Sequence, residues 1–281
     1  MTAIAGSDAL ASGKGHRDEN FPVASRLLKR EHRAPVMAFY HFARAADDVA
    51  DHPDAGEAEK LALLEAMRAT LTGEGDADAP SRALRETIAR HGLTPRHPLD
   101  LLEAFRRDVT KRRYASWDEL MEYCRYSAMP VGRFVLDVHG EPRSTWAASD
   151  ALCAALQVIN HLQDCAKDYR ALDRVYLPAD LLDKAGARVE ELGTERASPA
   201  LRVVIAALAE RTQRLLDEAE GFARQICDRR LALEVAIIRR LAVSLAARLR
   251  VRDPLADRVH HNKAEALGLA AMAAIGRIAR R

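Results

Sequence analysis

An all-α fold is what this sequence predicts, and three observations carry that expectation. Apolar residues recur at helical spacing almost throughout, and no run of alternating β-branched and aromatic residues competes with them. Two segments also place their polar residues in phase with the helix turn. With 281 residues, 48% of them hydrophobic, the chain can bury a large core in one domain or at most two. A single helical bundle over residues 19–281 with a central cavity is expected.

Residues 1–18 lack a continuous apolar stretch and are read as a disordered lead-in rather than a secretory signal. A short helix is expected to start near Asn20 to Pro22, since proline suits the first helical position. The next begins around Pro35 and runs to Asp51, where His52-Pro53 ends it. Glu57 to Leu71 is amphipathic, and beyond the loop TGEGDADAP come helices from Ser81 to His91 and from Pro98 to Arg112. Ser116 with Glu119 reads as a capping box for a helix reaching Val138. A long helix starts between Thr145 and Ser149 and carries QVINHLQDCAKD, after which YRALDRVYLP reads as a polar, aromatic loop. A short turn of helix follows to Gly186. Ser198-Pro199 then opens a helical stretch to Arg252 with interruptions near Gly221 and Asp228, and a last helix spans Lys263 to Ile278.

Charge and cysteine usage narrow the function. Lys and Arg total 43 against 41 Asp and Glu, and a net charge of +2 gives no general attraction for nucleic acid. The run Lys111 to Arg113 lacks interleaved aromatics and is read as a helix end whose cations favour the carbonyl terminus. Cys124, Cys153, Cys165 and Cys227 show no paired or zinc-finger spacing, which fits reduced thiols in a cytoplasmic protein. The longest apolar stretch, Ala266 to Gly276, has eleven residues, short of the roughly 18 to 20 that cross a bilayer. The terminal helix, with Leu267, Leu269, Met272, Ile275 and Ile278 followed by Arg280 and Arg281, is expected to pack on the bundle, with an anionic membrane surface as the alternative.

The chemistry is concentrated in the two phased segments. Gln157, Asn160, Asp164 and Asp168 stand three, four and four residues apart and so stack on one helix face, about 6 Å per four residues. In YHFARAADDVAD, Tyr40, Arg44, Asp47 and Asp51 recur at four, three and four, while Asp48 lies roughly 100° round the helix and is the weaker member. Carboxylates one turn apart repel, by a few tenths of a kcal/mol when exposed and on the order of 4 kcal/mol when partly buried about 4 Å apart. Such stripes suit a hard cation, and Asp and Asn oxygens suit Mg²⁺, which keeps waters and shares itself with substrate phosphates. Asp108 stands between lining the cavity and pairing with Arg107 or Arg112. His161 and the His260-His261 pair lie off any metal-binding face and are read as structural.

DDVAD at 47–51, NHLQDCAKD at 160–168 and RVYLP at 174–178 resemble the paired acidic motifs and the arginine-containing loop of the squalene and phytoene synthases. ENFPVAS at 19–25 and YCRYSAMPVGR at 123–133 are similar to the hydroxysqualene synthases within that family. The resemblance implies an all-α isoprenoid-synthase fold whose two acidic helices face each other around a prenyl diphosphate and a cluster of three Mg²⁺ ions. It implies metal ligation by Asp47, Asp51, Asn160, Asp164 and Asp168, and substrate contacts from Asn20, Arg44, Gln157, Arg174 and Tyr176. Tyr40 and Tyr123 become candidates to stabilise a cation or place a water.

Three positions depart from the head-to-head synthases: Asn20 in place of serine, Gln163 in place of arginine, and Met129-Pro130 in place of a glycine-containing turn. These favour a one-substrate enzyme that takes presqualene diphosphate and water to hydroxysqualene over one that condenses two molecules of farnesyl diphosphate. No GxGxxG follows a strand, so NADPH is not expected. Transient contacts with neighbouring squalene-pathway enzymes and a membrane surface are the implied partners. A non-catalytic assembly protein retaining the fold is the alternative from another class.

Overall fold

The computed structural model describes residues 27–278, with side chains to Gly276, together with Ser7. The expected lead-in and the start of the short helix near Asn20 to Pro22 therefore lie outside the described residues. Among those described, every regular element is helical, and β-type pairing is limited to one isolated parallel bridge between Arg113 and Val175. The chain divides into two compact units. One comprises the described residues through Lys111 with Pro130–Pro142, the other Arg112–Met129 with the described residues from Arg143 onward.

The first unit holds helices α1 (Arg30–Asp51), α2 (Glu57–Thr72), α3 (Ala79–His91) and α4 (Arg96–Thr110). Helix α1 begins before Pro35, which lies buried inside it. His32 N donates to Lys29 O at 3.1 Å, tightening the first turn, and burial of Pro35 and Val36 offsets the amide that proline lacks. Helices α2 and α3 end on Gly73 and Gly92 at φ of 85° and 64°, the left-handed conformation that glycine adopts without strain. Helix α3 starts ahead of Ser81, because Asp78 is its cap and accepts from Ser81 N at 2.9 Å. Phe39, Phe42, Ala46, Val49 and Ala50 of α1 pack with Leu63, Leu64, Met67, Leu84, Leu101 and Leu102.

A single helix from Ser116 to Val138 is not what forms. Helix α5 (Trp117–Ser127) stops at Ala128, and α6 (Met129–Val138) restarts with Pro130 in its first turn. Proline cannot donate back along α5 but suits the start of α6. From Pro130 the chain belongs to the first unit, where Phe134 stacks on Phe39 at 4.2 Å and Asp137 meets the buried His97 at 3.0 Å. The Ser116 cap is present, accepting from Glu119 N at 3.3 Å, but Glu119 reaches back to Ala115 N rather than to Ser116.

The second unit is organised on α7 (Trp146–Leu172), α9 (Pro199–Glu218) and α11 (Arg229–Val251), with α5, α8 (Ala179–Ala185), α10 (Phe222–Gln225) and α12 (Lys263–Ile278) around them. Interruptions fall where Gly221 and Asp228 predict them, and Asp228 caps α11 by accepting from Leu231 N. Small residues let these helices approach closely: Ala154 and Ala155 on α7, Ala209 on α9, Ala242 and Ala246 on α11 are all fully buried.

Candidate active site

Within the first unit, α1 turns Phe39, Phe42, Ala46 and Val49 into the core and leaves Tyr40, Arg44, Asp47 and Asp51 half-buried along one stripe. Arg44 forks between two acids, with Nη1 at 2.9 Å from Asp47 Oδ2 and Nη2 at 2.5 Å from Asp48 Oδ1. The two acids differ in exposure, 37% for the Asp47 side chain against 6% for Asp48. Asp48 therefore anchors Arg44 from beneath, as its position round the helix implies, while Asp47 is half-buried with one side open to water. Lys60 of α2 donates to Ala50 O at 3.1 Å, supplying a cation at a helix end whose last turn has no basic residue of its own.

Burial, then the Asp51 carboxylate, pushes Asp47 up to about 7 against the pull of Arg44, and Asp108 and Asp48 add to the rise. Asp108, buried on α4, is thus part of this acidic group, whereas Arg107 pairs with Glu103 at 3.0 Å. Crowded carboxyls of this kind fit a cation that would relieve their repulsion. Among the described residues no three His, Cys, Asp or Glu side chains converge tightly enough to enclose an ion by themselves.

In the second unit, Gln157, Asn160, Asp164 and Asp168 are half-buried along α7, while Val158, Ile159 and Leu162 between them are buried. Helix α7 runs past Asp168 to Leu172, so the loop is shorter than the sequence reading placed it. Asp173 adopts φ 51° and ends the helix, and Arg174 N donates to Asp168 O at 3.2 Å. The loop is tied down along its length. Val175 N donates to Arg112 O at 2.9 Å, Ala179 N to Tyr114 O at 2.9 Å and Asp180 N to Ala115 O at 3.1 Å. Arg113 Nη2 meets Asp173 Oδ1 at 2.5 Å and its Nη1 donates to Asp173 O, while Arg112 reaches Leu172 O. Arg112 and Arg113 of the basic run cap a carbonyl terminus, but that of α7 rather than of α4. Only the fold could show which helix they serve.

This loop buries Arg174 and Tyr176 in an aromatic cluster. Tyr176 stacks on His161 at 3.5 Å, with Tyr114 and Tyr123 each 5.5 Å from it. Gln157 Nε2 lies 3.1 Å from His161 Nε2. Burial, then the Arg174 charge, drives His161 down to about 3, so the imidazole is neutral and accepts from the Gln157 amide. The histidine is packed, not solvated, and links Gln157 to Tyr176, a role its position beside the stripe did not signal. Gln163 is likewise committed within the unit, donating to Val259 O.

Acid must charge this buried imidazole. Because the folded-state pKa lies below the ordinary 6.5, the stability that neutrality contributes is complete above that pH and is lost as pH falls towards 3. His161→Leu is expected to shift the acid-unfolding midpoint, followed by circular dichroism, to lower pH. An unchanged midpoint would mean that another group governs acid unfolding.

The structure thus gathers Tyr40, Arg44, Asp47 and Asp51 with Asp48 and Asp108 in one unit, and Tyr123, Gln157, Arg174 and Tyr176 around His161 in the other. Asn20 lies outside the described residues. Comparison with known proteins gives this pattern its context. The sequence profile of the squalene/phytoene synthase family matches residues 15–265. A hydroxysqualene synthase from Zymomonas mobilis is 58% identical over 272 residues, 96% of this chain and 92% of that protein. One from Rhodopseudomonas palustris is 56% identical over 89% of this chain and 86% of that protein. Among solved structures, the squalene synthase HpnC from Alicyclobacillus acidocaldarius superposes with a TM-score of 0.73 at 36% identity, covering 87% of this chain and 91% of that one.

Proposed function

Because the chain belongs to the squalene/phytoene synthase family, we propose that it is a hydroxysqualene synthase, converting presqualene diphosphate and water to hydroxysqualene and diphosphate in squalene and hopanoid biosynthesis. The observation that carries this reading is identity above one half, over nearly the whole of both chains, to relatives of that activity, supported by the presence in the sequence of all five proposed ligand residues.

The C–O bond to diphosphate breaks with its electron pair on the departing oxygen, the resulting carbocation rearranges, and water forms the new C–O bond and gives up a proton. Mg²⁺, when bound, would act as a Lewis acid on the diphosphate. Asp47 and Asp51 on α1, and Asn160, Asp164 and Asp168 on α7, would hold the ions through hard oxygen donors. Arg44, anchored by Asp48, would offer its guanidinium to the leaving group, and Arg174 would add positive charge from a loop that its backbone hydrogen bonds already order. Tyr40 and Tyr123 are the candidates to stabilise the carbocation or orient the water, with Tyr123 held in the Tyr114, Tyr176 and His161 cluster.

Water as the terminal nucleophile needs no hydride, so the reaction would run without NADPH. No helix among the described residues is long and apolar enough to cross a membrane. We assign the protein to the cytoplasm, with transient contacts to the enzymes that make its substrate and consume its product.

The test is to incubate purified protein and Mg²⁺ with presqualene diphosphate or with farnesyl diphosphate, without NADPH, and to analyse the lipids by mass. Hydroxysqualene from presqualene diphosphate, with farnesyl diphosphate untouched, is the expected result. Consumption of farnesyl diphosphate would instead make this a head-to-head synthase.

A further inference from the structure

Helix α12 is held firmly at one end and, among the described residues, bare along one side. Asn262 and Glu265 form a reciprocal cap, Glu265 N donating to Asn262 Oδ1 and Asn262 N to Glu265 Oε2, both at 2.9 Å. Arg248 Nη2 grips Glu265 Oε1 at 2.9 Å, and His261 Nε2 lies 2.9 Å from Ser244 Oγ, so the helix start is pinned to α11. Ala266, Leu269, Ala270 and Ala273 are half-buried on the packed side.

At about 100° per residue, Ala264, Leu267, Gly268, Ala271, Met272 and Ile275 fall within one arc of about 140°. All six are exposed. Leu267 is 71% accessible, Ile275 66% and Met272 49%, a concentration of large apolar side chains that a water-facing helix surface does not need. Alongside runs a groove of about 370 Å³ whose lining includes Arg224, Arg239 and Arg240 against the single acid Glu220. Arg240 Nη2 lies 3.8 Å from Met272 Sδ, which places a guanidinium at the border of the apolar face. In sequence, Arg277, Arg280 and Arg281 follow.

We propose that this face docks on an anionic lipid bilayer, with Leu267, Met272 and Ile275 entering the headgroup boundary and the groove arginines meeting lipid phosphates. The charge favours this occupant. A second copy of the same surface would bring like-charged guanidinium groups together, whereas anionic headgroups complement them. Why such docking is useful rests on the hydroxysqualene synthase reading, since C30 substrates and products partition into lipid. The docking itself does not depend on that reading.

Sedimentation with vesicles of phosphatidylcholine alone, or mixed with phosphatidylglycerol, tests the proposal on the full chain. Binding to the mixed vesicles, weakened by salt and at least about tenfold weaker without phosphatidylglycerol, is expected. Leu267→Glu/Ile275→Glu should lower vesicle binding at least about tenfold, and Arg224→Ala/Arg240→Ala should flatten its salt dependence. Both variants should keep the parental circular dichroism and turnover of detergent-dispersed substrate. Equal binding to neutral vesicles, or undiminished binding by Leu267→Glu/Ile275→Glu, would overturn the proposal. So would a dimer by light scattering that this variant converts to monomer, which would assign the face to a second copy. Vesicle binding without hydroxysqualene formation would sink the enzymatic reading and leave the docking intact.

Discussion

Asp47→Asn is expected to remove most of the activity while making the metal-free protein more stable at pH 8. Losing one preorganised electrostatic contact to developing charge costs roughly 10² to 10³ in turnover, and Asp47 is a proposed metal ligand in the most crowded acidic group. The stability change runs the other way. A folded-state pKa raised from 3.8 to about 7 means that the folded protein holds this proton better than the unfolded chain does. The stability so gained is complete below the lower value and is lost as pH rises through 7.

Such a rise would correspond to about 4 kcal/mol if fully expressed. With 37% of the side chain open to water, screening leaves about 1–2 kcal/mol. Asparagine carries no charge at any of these pH values. Thermal melts in chelator should place Asp47→Asn a few degrees above the parent at pH 8, with the gap narrowing at pH 5 and closing as pH falls below 3.8. Mg²⁺ with inorganic diphosphate should then stabilise the parent more than the variant. A variant that melts lower at pH 8 would show that the Arg44 ion pair outweighs the repulsion from Asp51.

Arg44→Met should cost both fold and function. Its guanidinium is the ion-pair partner of Asp48, whose side chain is 6% exposed, and removing one member of a buried pair typically costs about 3–5 kcal/mol. Its loss also removes the positive charge that holds Asp47 down, so the acidic group becomes harder to ionise. Arg44→Met/Asp48→Asn should recover much of the stability, because Asp48 no longer leaves an unpaired buried charge, yet none of the turnover, because the proposed contact to the leaving group is still missing. Denaturant unfolding and product formation, measured on the same four proteins of the cycle, separate the two roles. Equal stability of the single and double variants would mean that Arg44 does not compensate Asp48. Full activity in the double variant would remove Arg44 from the diphosphate site.

Much of this was legible without a structure. Helical phase alone put Tyr40, Arg44, Asp47 and Asp51 on one stripe and set Asp48 aside, and the fold keeps that separation as 37% against 6% exposure. Capping at Ser116 and Ser198 and the breaks near Gly221 and Asp228 were equally local. Other expectations yielded to residues distant in sequence. Pro130 splits the expected helix because the segment after it packs its Phe134 against Phe39. Arg112 and Arg113, expected to favour the end of their own helix, instead cap α7, some 60 residues away.

Period and chemistry are properties of neighbouring residues, so the sequence by itself determined the all-α class, the two acidic stripes and the hard-cation chemistry they suit. Burial and long-range charge are properties of packing. Only the tertiary structure decided that Asp108 joins the Asp47 group, that Asp48 anchors Arg44, and that a neutral His161 ties Gln157 to Tyr176. It also decided that, among the described residues, α12 leaves an apolar face uncovered, because which arc of a helix finds a partner depends on the elements that fold against it.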